Sequence, residues 1–71
     1  MLKTGEIIKA ERKQRGLSLR ELSKVADVSH SYLSQLENGK KDSPSIEIVY
    51  KLSKVLGVRF IDLIPEHMRG E

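Results

Sequence analysis

The 71-residue chain contains no cysteine. That absence excludes a disulfide framework, a cysteine zinc site and a thiol nucleophile, and it accords with a reducing compartment. Long apolar runs are missing too. The longest early one is Ile7 and Ile8, far short of the core of a secretory leader, and no segment approaches the ~20 apolar residues of a membrane-spanning helix. A cytoplasmic protein with no membrane partner is therefore expected. Strand-like alternation, low-complexity tracts and internal repeats are also lacking. One domain over 1–71 is expected, and at this size a single core supplies only about 3–5 kcal/mol unless something such as dimerisation reinforces it.

The net charge is modest, +3, but unevenly placed. Residues 1–24 hold seven Lys and Arg (Lys3, Lys9, Arg12, Lys13, Arg15, Arg20, Lys24) against three acids (Glu6, Glu11, Glu21). Residues 42–71 hold four basic against five acidic. Positive charge thus gathers in the first third of the chain, as contact with phosphate would require.

Five helical segments account for nearly all of the sequence. A first runs from Thr4, read as its N-cap, to about Arg15, with Ile7, Ile8 and the small Ala10 as a thin apolar stripe; Gly16 ends it. Ser18 and Glu21 form an S-x-x-E capping box. The second helix follows from Leu19 to Ala26, with Leu22, Val25 and Ala26 on one face at three- and four-residue spacing. Asp27 and Val28 interrupt the pattern. Ser29 caps a third helix that runs to Asn38 and stops at Gly39.

The third helix carries the functional signal. At about 100° per residue, Leu33 and Leu36 point inward while His30, Ser31, Ser34, Gln35 and Asn38 lie on the side or outer face. That outer set is polar but almost uncharged. A merely solvated helix alternates Lys and Glu, whereas short hydrogen-bonding side chains suit base edges in a major groove, where donors and acceptors must be matched.

Asp42, Ser43 and Pro44 supply the next turn, and Ser45 caps a fourth helix over 46–56. Ile48, Val49, Leu52, Val55 and Leu56 give it the cleanest amphipathic stripe in the chain. Gly57 closes it. Val58 to Ile64 makes a short fifth helix stopped by Pro65, so the core spans about 4–65 and residues 66–71 form an exposed tail. The expected fold class is all-α, a compact five-helix bundle.

The strings RKQRGLSLREL, VSHSYLSQLENGK and PSIEIVYKLSKVLGV together resemble the phage Cro and repressor type of helix-turn-helix domain, the XRE-like family, from about Gly5 to Ile64. The resemblance implies a lambda-repressor-like fold with a central helix-turn-helix and small or apolar residues at Leu22, Ala26, Val28, Leu33 and Leu36. Two positions depart: Ser23 stands where the family usually has Ala, and Asp27 where it usually has Gly. Both are tolerable, Asp because it enters the left-handed region more readily than most residues.

Further roles follow from the same resemblance. Arg12 and Glu37 match a semi-buried structural salt bridge that fixes the recognition helix. The family's base contacts fall on Ser29, His30, Ser31 and Gln35, with Ser34 at the margin; Ser29 divides its role between reading and capping. Amides near Ser18 and Leu19 form an anion site, strengthened by the helix dipole. Relatives often have Gln where this chain has Leu19, so Arg20 is expected to take over that contact. Asn38, Lys40 and Lys41 match a stretch that grips the DNA backbone. Tyr32 is expected to pack its ring and to offer its hydroxyl to a phosphate. Phe60, Ile61 and Ile64 match the end through which relatives dimerise, and Arg59 stands where a capping Ser is common.

The implied function is a sequence-specific DNA-binding transcriptional regulator, a repressor that binds a palindromic operator in double-stranded DNA as a homodimer. A phage-type repressor, a restriction-modification controller, an antitoxin and the DNA-binding piece of a longer regulator all fit these residues. A rival from another class is a protein-interaction module that uses the Phe60 to Ile64 surface without binding DNA. No enzyme, metal, cofactor or small-molecule ligand is expected: Ser, His and Asp occur where caps and turns explain them, and His67 is the only other histidine beside His30.

Overall fold

The computed structural model describes residues 4–40 and 44–64. These form five helices, α1 (Thr4–Gln14), α2 (Leu19–Ala26), α3 (His30–Glu37), α4 (Ile46–Leu56) and α5 (Phe60–Leu63), with no strand among the described residues. The expected all-α, five-helix architecture is therefore the one observed. Lys41, the Asp42 and Ser43 turn, the Pro65 stop and the tail 66–71 lie outside the described residues.

One core joins all five helices. Ile8, Leu22, Leu33, Leu36, Val49, Leu52, Leu56 and Leu63 are completely or almost completely buried, and Ala26, Val28 and Ile64 join them. All but Val28 and Ile64, which lie just outside helices, are residues that a helix turns inward, and their burial supplies the hydrophobic drive for the fold. α3 packs against α1 and α2, while α4 packs against α1, α2 and α5. α3 is thus backed by α1 and α2.

Four helices end in the same way. A residue one or two positions past the terminus takes a left-handed conformation, and the next amide reaches back five residues: Leu17 to the Arg12 carbonyl, Val28 to Ser23, Lys40 to Gln35 and Val58 to Ser53. Glycine fills the left-handed position at 16, 39 and 57, with φ of 68°, 75° and 68°, and Asp27 fills it at φ 56°. This closure satisfies carbonyls that the helix leaves open. Leu17, Val28 and Val58 then pack on or in the core.

Three local expectations are corrected. Val25 is 63% exposed rather than part of the α2 core face. Three residues advance a helix by about 300°, which leaves Val25 about 60° short of Leu22, on the side away from Ala26 and Ser23 and outside the inward arc. Buried Ser23 occupies that arc, its hydroxyl donating to the Arg20 carbonyl at 2.8 Å. Thr4 is not an N-cap but the first residue of α1, buried, with its hydroxyl donating to the Leu63 carbonyl of α5. Ala10 is exposed and adds nothing to the core.

Candidate nucleic-acid interface

α3 begins where Ser29 accepts the Tyr32 amide at 3.3 Å, so the Ser29 hydroxyl oxygen is engaged as a cap. Leu33 and Leu36 anchor the helix with 0% and 1% exposure. His30, Ser31 and Gln35 are exposed, and Ser34 is half-buried. The structure therefore brings four polar side chains to the outer side of a helix whose inner side is immobilised by packing. At its far end Asn38 is the C-cap, exposed, with its amide nitrogen 3.5 Å from the Ser34 hydroxyl. Lys40 is exposed, and its position is fixed by its own amide bond to Gln35 at 2.9 Å.

Arg12 backs this helix from behind. Its Nε and one terminal nitrogen donate to both carboxylate oxygens of Glu37 at 2.8 and 3.1 Å, and the other donates to the Leu17 carbonyl at 2.8 Å. The two side chains retain 11% and 5% exposure. One guanidinium thereby joins α1, the last turn of α3 and the link into α2. A two-point contact of this kind fixes angle as well as distance.

At the start of α2 the capping box is complete. Ser18 Oγ accepts the Glu21 amide at 3.0 Å, and the Glu21 carboxylate accepts the Ser18 amide at 2.8 Å. These bonds favour the charged carboxylate, first the one from the Ser18 backbone and then the one involving its side chain, and hold the Glu21 pKa below its ordinary value. The box has a consequence for the anion site expected around Ser18 and Leu19. The Ser18 amide is already committed to a carboxylate, so the first-turn donors that remain are the amides of Leu19 and Arg20. The Arg20 side chain is exposed beside them.

Tyr32 packs its ring as expected, and its hydroxyl has a partner within the domain. Its ring is half-buried against the core, and its hydroxyl oxygen accepts the Ser45 amide at 2.8 Å, tying α3 to the start of α4. Ser45 is the N-cap of α4, yet its side chain makes no capping bond.

At the opposite side of the domain, Ile61 is 44% exposed and Phe60 is half-buried, whereas Ile64 is only 6% exposed and belongs to the core. Ile64 therefore does not share the exposed surface expected of it with Phe60 and Ile61, because it closes the end of the bundle beside Leu63. Sequence reasoning missed two other exposed apolar side chains. Tyr50 is 51% exposed, its ring meeting Phe60 edge-on at 6.2 Å and the Lys54 ammonium at 5.2 Å, and Ile46, one turn earlier on α4, is 47% exposed. A large apolar side chain off the main stripe of an amphipathic helix was the available signal. Arg59 makes no capping bond and instead pairs with Asp62 through two bonds of 2.9 and 3.2 Å.

Two further anchors were hidden in the sequence. Arg15 donates to the Leu56 carbonyl at the end of α4 and pairs with Glu11 at 2.5 Å, binding α1 to α4. Gly5 is buried where α1 meets the last turn of α3. The described residues hold no group of three or more His, Cys, Asp or Glu able to bind a metal, and no helix long and apolar enough to cross a membrane.

Two short helices at the centre of a five-helix bundle, the second carrying an exposed polar row and the first a capped start beside a basic side chain, define a helix-turn-helix domain. The chain belongs to the helix-turn-helix family of XRE type, whose model matches residues 8–63. It is 44% identical over 67 residues to the HTH-type transcriptional regulator SinR of Bacillus subtilis, a match covering 94% of this chain and 60% of that protein. The fold is similar to that of SinR in complex with DNA, with a TM-score of 0.80 at 43% identity over 84% of this chain and 95% of that one. The N-terminal DNA-binding domain of SinR from Bacillus subtilis gives a TM-score of 0.83 at 42% identity, covering 92% and 94%. The chain spans about 60% of the length of full SinR. Its relatives are regulators, not enzymes.

Proposed function

We propose that this chain is a sequence-specific DNA-binding transcriptional regulator, acting in the cytoplasm as a repressor on a palindromic operator. The observation that carries this reading is the row His30, Ser31, Ser34 and Gln35, which stands on a helix immobilised by Leu33, Leu36 and the Arg12–Glu37 pair. The likeness to SinR bound to DNA supports it. α3 enters the major groove, and its N-terminal half and Gln35 meet base edges. Ser29 contributes only what its capping role leaves. Arg20, the amides of Leu19 and Arg20, Asn38, Lys40 and Lys41 grip phosphates on either side. Such grips set affinity and its salt dependence without choosing sequence.

A homodimer forms through Phe60 and Ile61, extended by Tyr50 and Ile46. Four partly exposed apolar side chains on adjacent helices favour a partner, and a second copy places two recognition helices on half-sites about 34 Å apart. The same patch favours the rival reading, a protein-interaction module without DNA binding. Selection of bound sequences from a random duplex pool separates the two. A symmetric motif establishes DNA reading and dimerisation together, and recovery of no motif, with no retention on heparin at low salt, leaves the interaction module.

A further inference from the structure

Gly5 lies in the first turn of α1 and is buried against α3. A Cβ built on it overlaps the Leu36 carbonyl oxygen, and would stand 2.9 Å from the Leu36 carbonyl carbon and 3.1 Å from Glu37 Cα. All three are backbone atoms of the last turn of the recognition helix, so no side-chain rotation relieves the overlap. Gly5 and Arg12 are seven residues apart, which places them on one face of α1. Arg12 grips the neighbouring Glu37 side chain through two bonds. α1 therefore holds a single turn of α3 at two points, by backbone contact at Gly5 and by a charged pair at Arg12.

The surroundings decide how this turn responds to an added methyl. It borders an open concavity of about 400 Å³ lined by Gly5, Glu6, Glu37, Asn38 and Gly39. Leu33, one turn earlier, is fully buried. Leu36 of that turn is itself buried and Glu37 is held by Arg12, so an added methyl at position 5 is relieved only by a shift of the last turn of α3 away from α1. Gln35 and Ser34 lie on the part that moves.

We propose that Gly5 is a positioning residue for DNA reading: by lacking a side chain it sets the tilt of the recognition helix against α1, and so fixes which base edges Gln35 and Ser34 reach. The inference rests on the DNA-reading role assigned to α3. Glycine loses more conformational freedom on folding than alanine does, and close approach of α3 to α1 is what that cost secures.

The test is Gly5→Ala in the full chain, studied well below its melting temperature and, where folding is impaired, with trimethylamine N-oxide added equally to both proteins. In the free variant, amide resonances should shift most at Leu36, Glu37 and Asn38. Affinity for the sequence selected by the wild type should fall about tenfold or more, the scale of one mismatched base pair, while affinity for random duplex changes less than about twofold, as a sequence-independent phosphate grip left intact requires. A repeat selection should return altered preference at the pairs facing Gln35 and Ser34. A folded variant with unchanged preference and affinity overturns the proposal, as does equal loss on selected and random duplex. Failure to fold under any of these conditions also overturns it, by making Gly5 a requirement of the fold rather than of helix tilt. If the wild type itself binds no duplex, the DNA-reading role fails instead, and the amide shifts still report whether position 5 moves α3.

Discussion

The hydroxyl of Tyr32 accepts the backbone amide of Ser45 at 2.8 Å, so a residue of the recognition helix completes the start of α4. α4 cannot supply that acceptor by itself. Its third residue is Ile48, where a capping box needs Glu or Gln. Tyr32→Phe keeps the ring and removes the acceptor. The loss should be about 0.5–1.5 kcal/mol, a fall in melting temperature of about 4–8 °C per kcal/mol for a domain of this size. Thermal melts and amide exchange at Ser45 check it; an unchanged Ser45 exchange rate would show that the bond contributes nothing.

The Arg12–Glu37 pair should be costly to break and cheap to replace. Arg12→Ala or Glu37→Ala leaves a nearly buried charge unpaired, at about 3–5 kcal/mol. That is comparable to the whole stability of a domain this small, about 3–5 kcal/mol, so each single variant should be largely unfolded at 25 °C. The double variant Arg12→Met with Glu37→Leu should recover most of the loss. Urea titrations of the three variants decide the matter, and a double variant no more stable than the singles contradicts it.

The capping box makes stability depend on acid. Glu21 has a folded pKa lowered from 4.5 by the Ser18 bonds. A carboxylate with a depressed folded pKa contributes stability above its unfolded value and loses it as pH falls through the folded one. The contribution should thus be complete above about pH 5 and disappear below the ordinary carboxylate range. Glu21→Gln can still cap but cannot titrate. Its stability should therefore decline less steeply than that of the wild type between about pH 5 and 3, as chemical denaturation at several pH values would reveal.

Base reading and phosphate gripping should separate in DNA binding. Gln35→Ala should cost about 1–3 kcal/mol on the selected site and little on random duplex. Lys40→Ala should weaken both alike and reduce the slope of log K against log salt by about one. Equal losses on both duplexes for every one of His30, Ser31 and Gln35 would sink the base-reading assignment.

The α4–α5 surface predicts a charge-sensitive dimer. Ile61→Lys introduces like charges across a twofold contact, with Ile61 already 44% exposed and outside the monomer core. The monomer should keep its melting temperature while sedimentation shows dissociation and affinity for a palindrome approaches that for a half-site. Ile64→Lys should instead unfold the monomer, because Ile64 is buried.

The elements legible in the sequence were those determined by neighbours along the chain. Ser18 and Glu21 announced a helix start, and Gly16, Gly39 and Gly57 announced three ends, because caps and left-handed closures depend on a handful of consecutive residues. The polar row of α3 was legible for the same reason. The Arg12–Glu37 pair came from resemblance rather than spacing, since 25 residues separate its members. Gly5, Arg15 and the Tyr32 hydroxyl were hidden because each acts only once two helices have met. Val25 shows the limit of periodicity within one helix. Its spacing from Leu22 fits an apolar stripe, but the face of α2 that its neighbours cover is displaced from that stripe toward Ser23.

The bond from the Thr4 hydroxyl to the Leu63 carbonyl closes a circuit of 59 residues. Contacts of such separation carry a large loop-closure cost and tend to form after local ones. α5 is a single turn of four residues, too short to persist as a helix without its neighbours. Its order is therefore borrowed from α4 and, through Thr4, from the other end of the chain. Loss of the Thr4 hydroxyl would be felt at α5, so weakening of the self-association proposed for Phe60 and Ile61 would be an early symptom of damage to the amino-terminal helix.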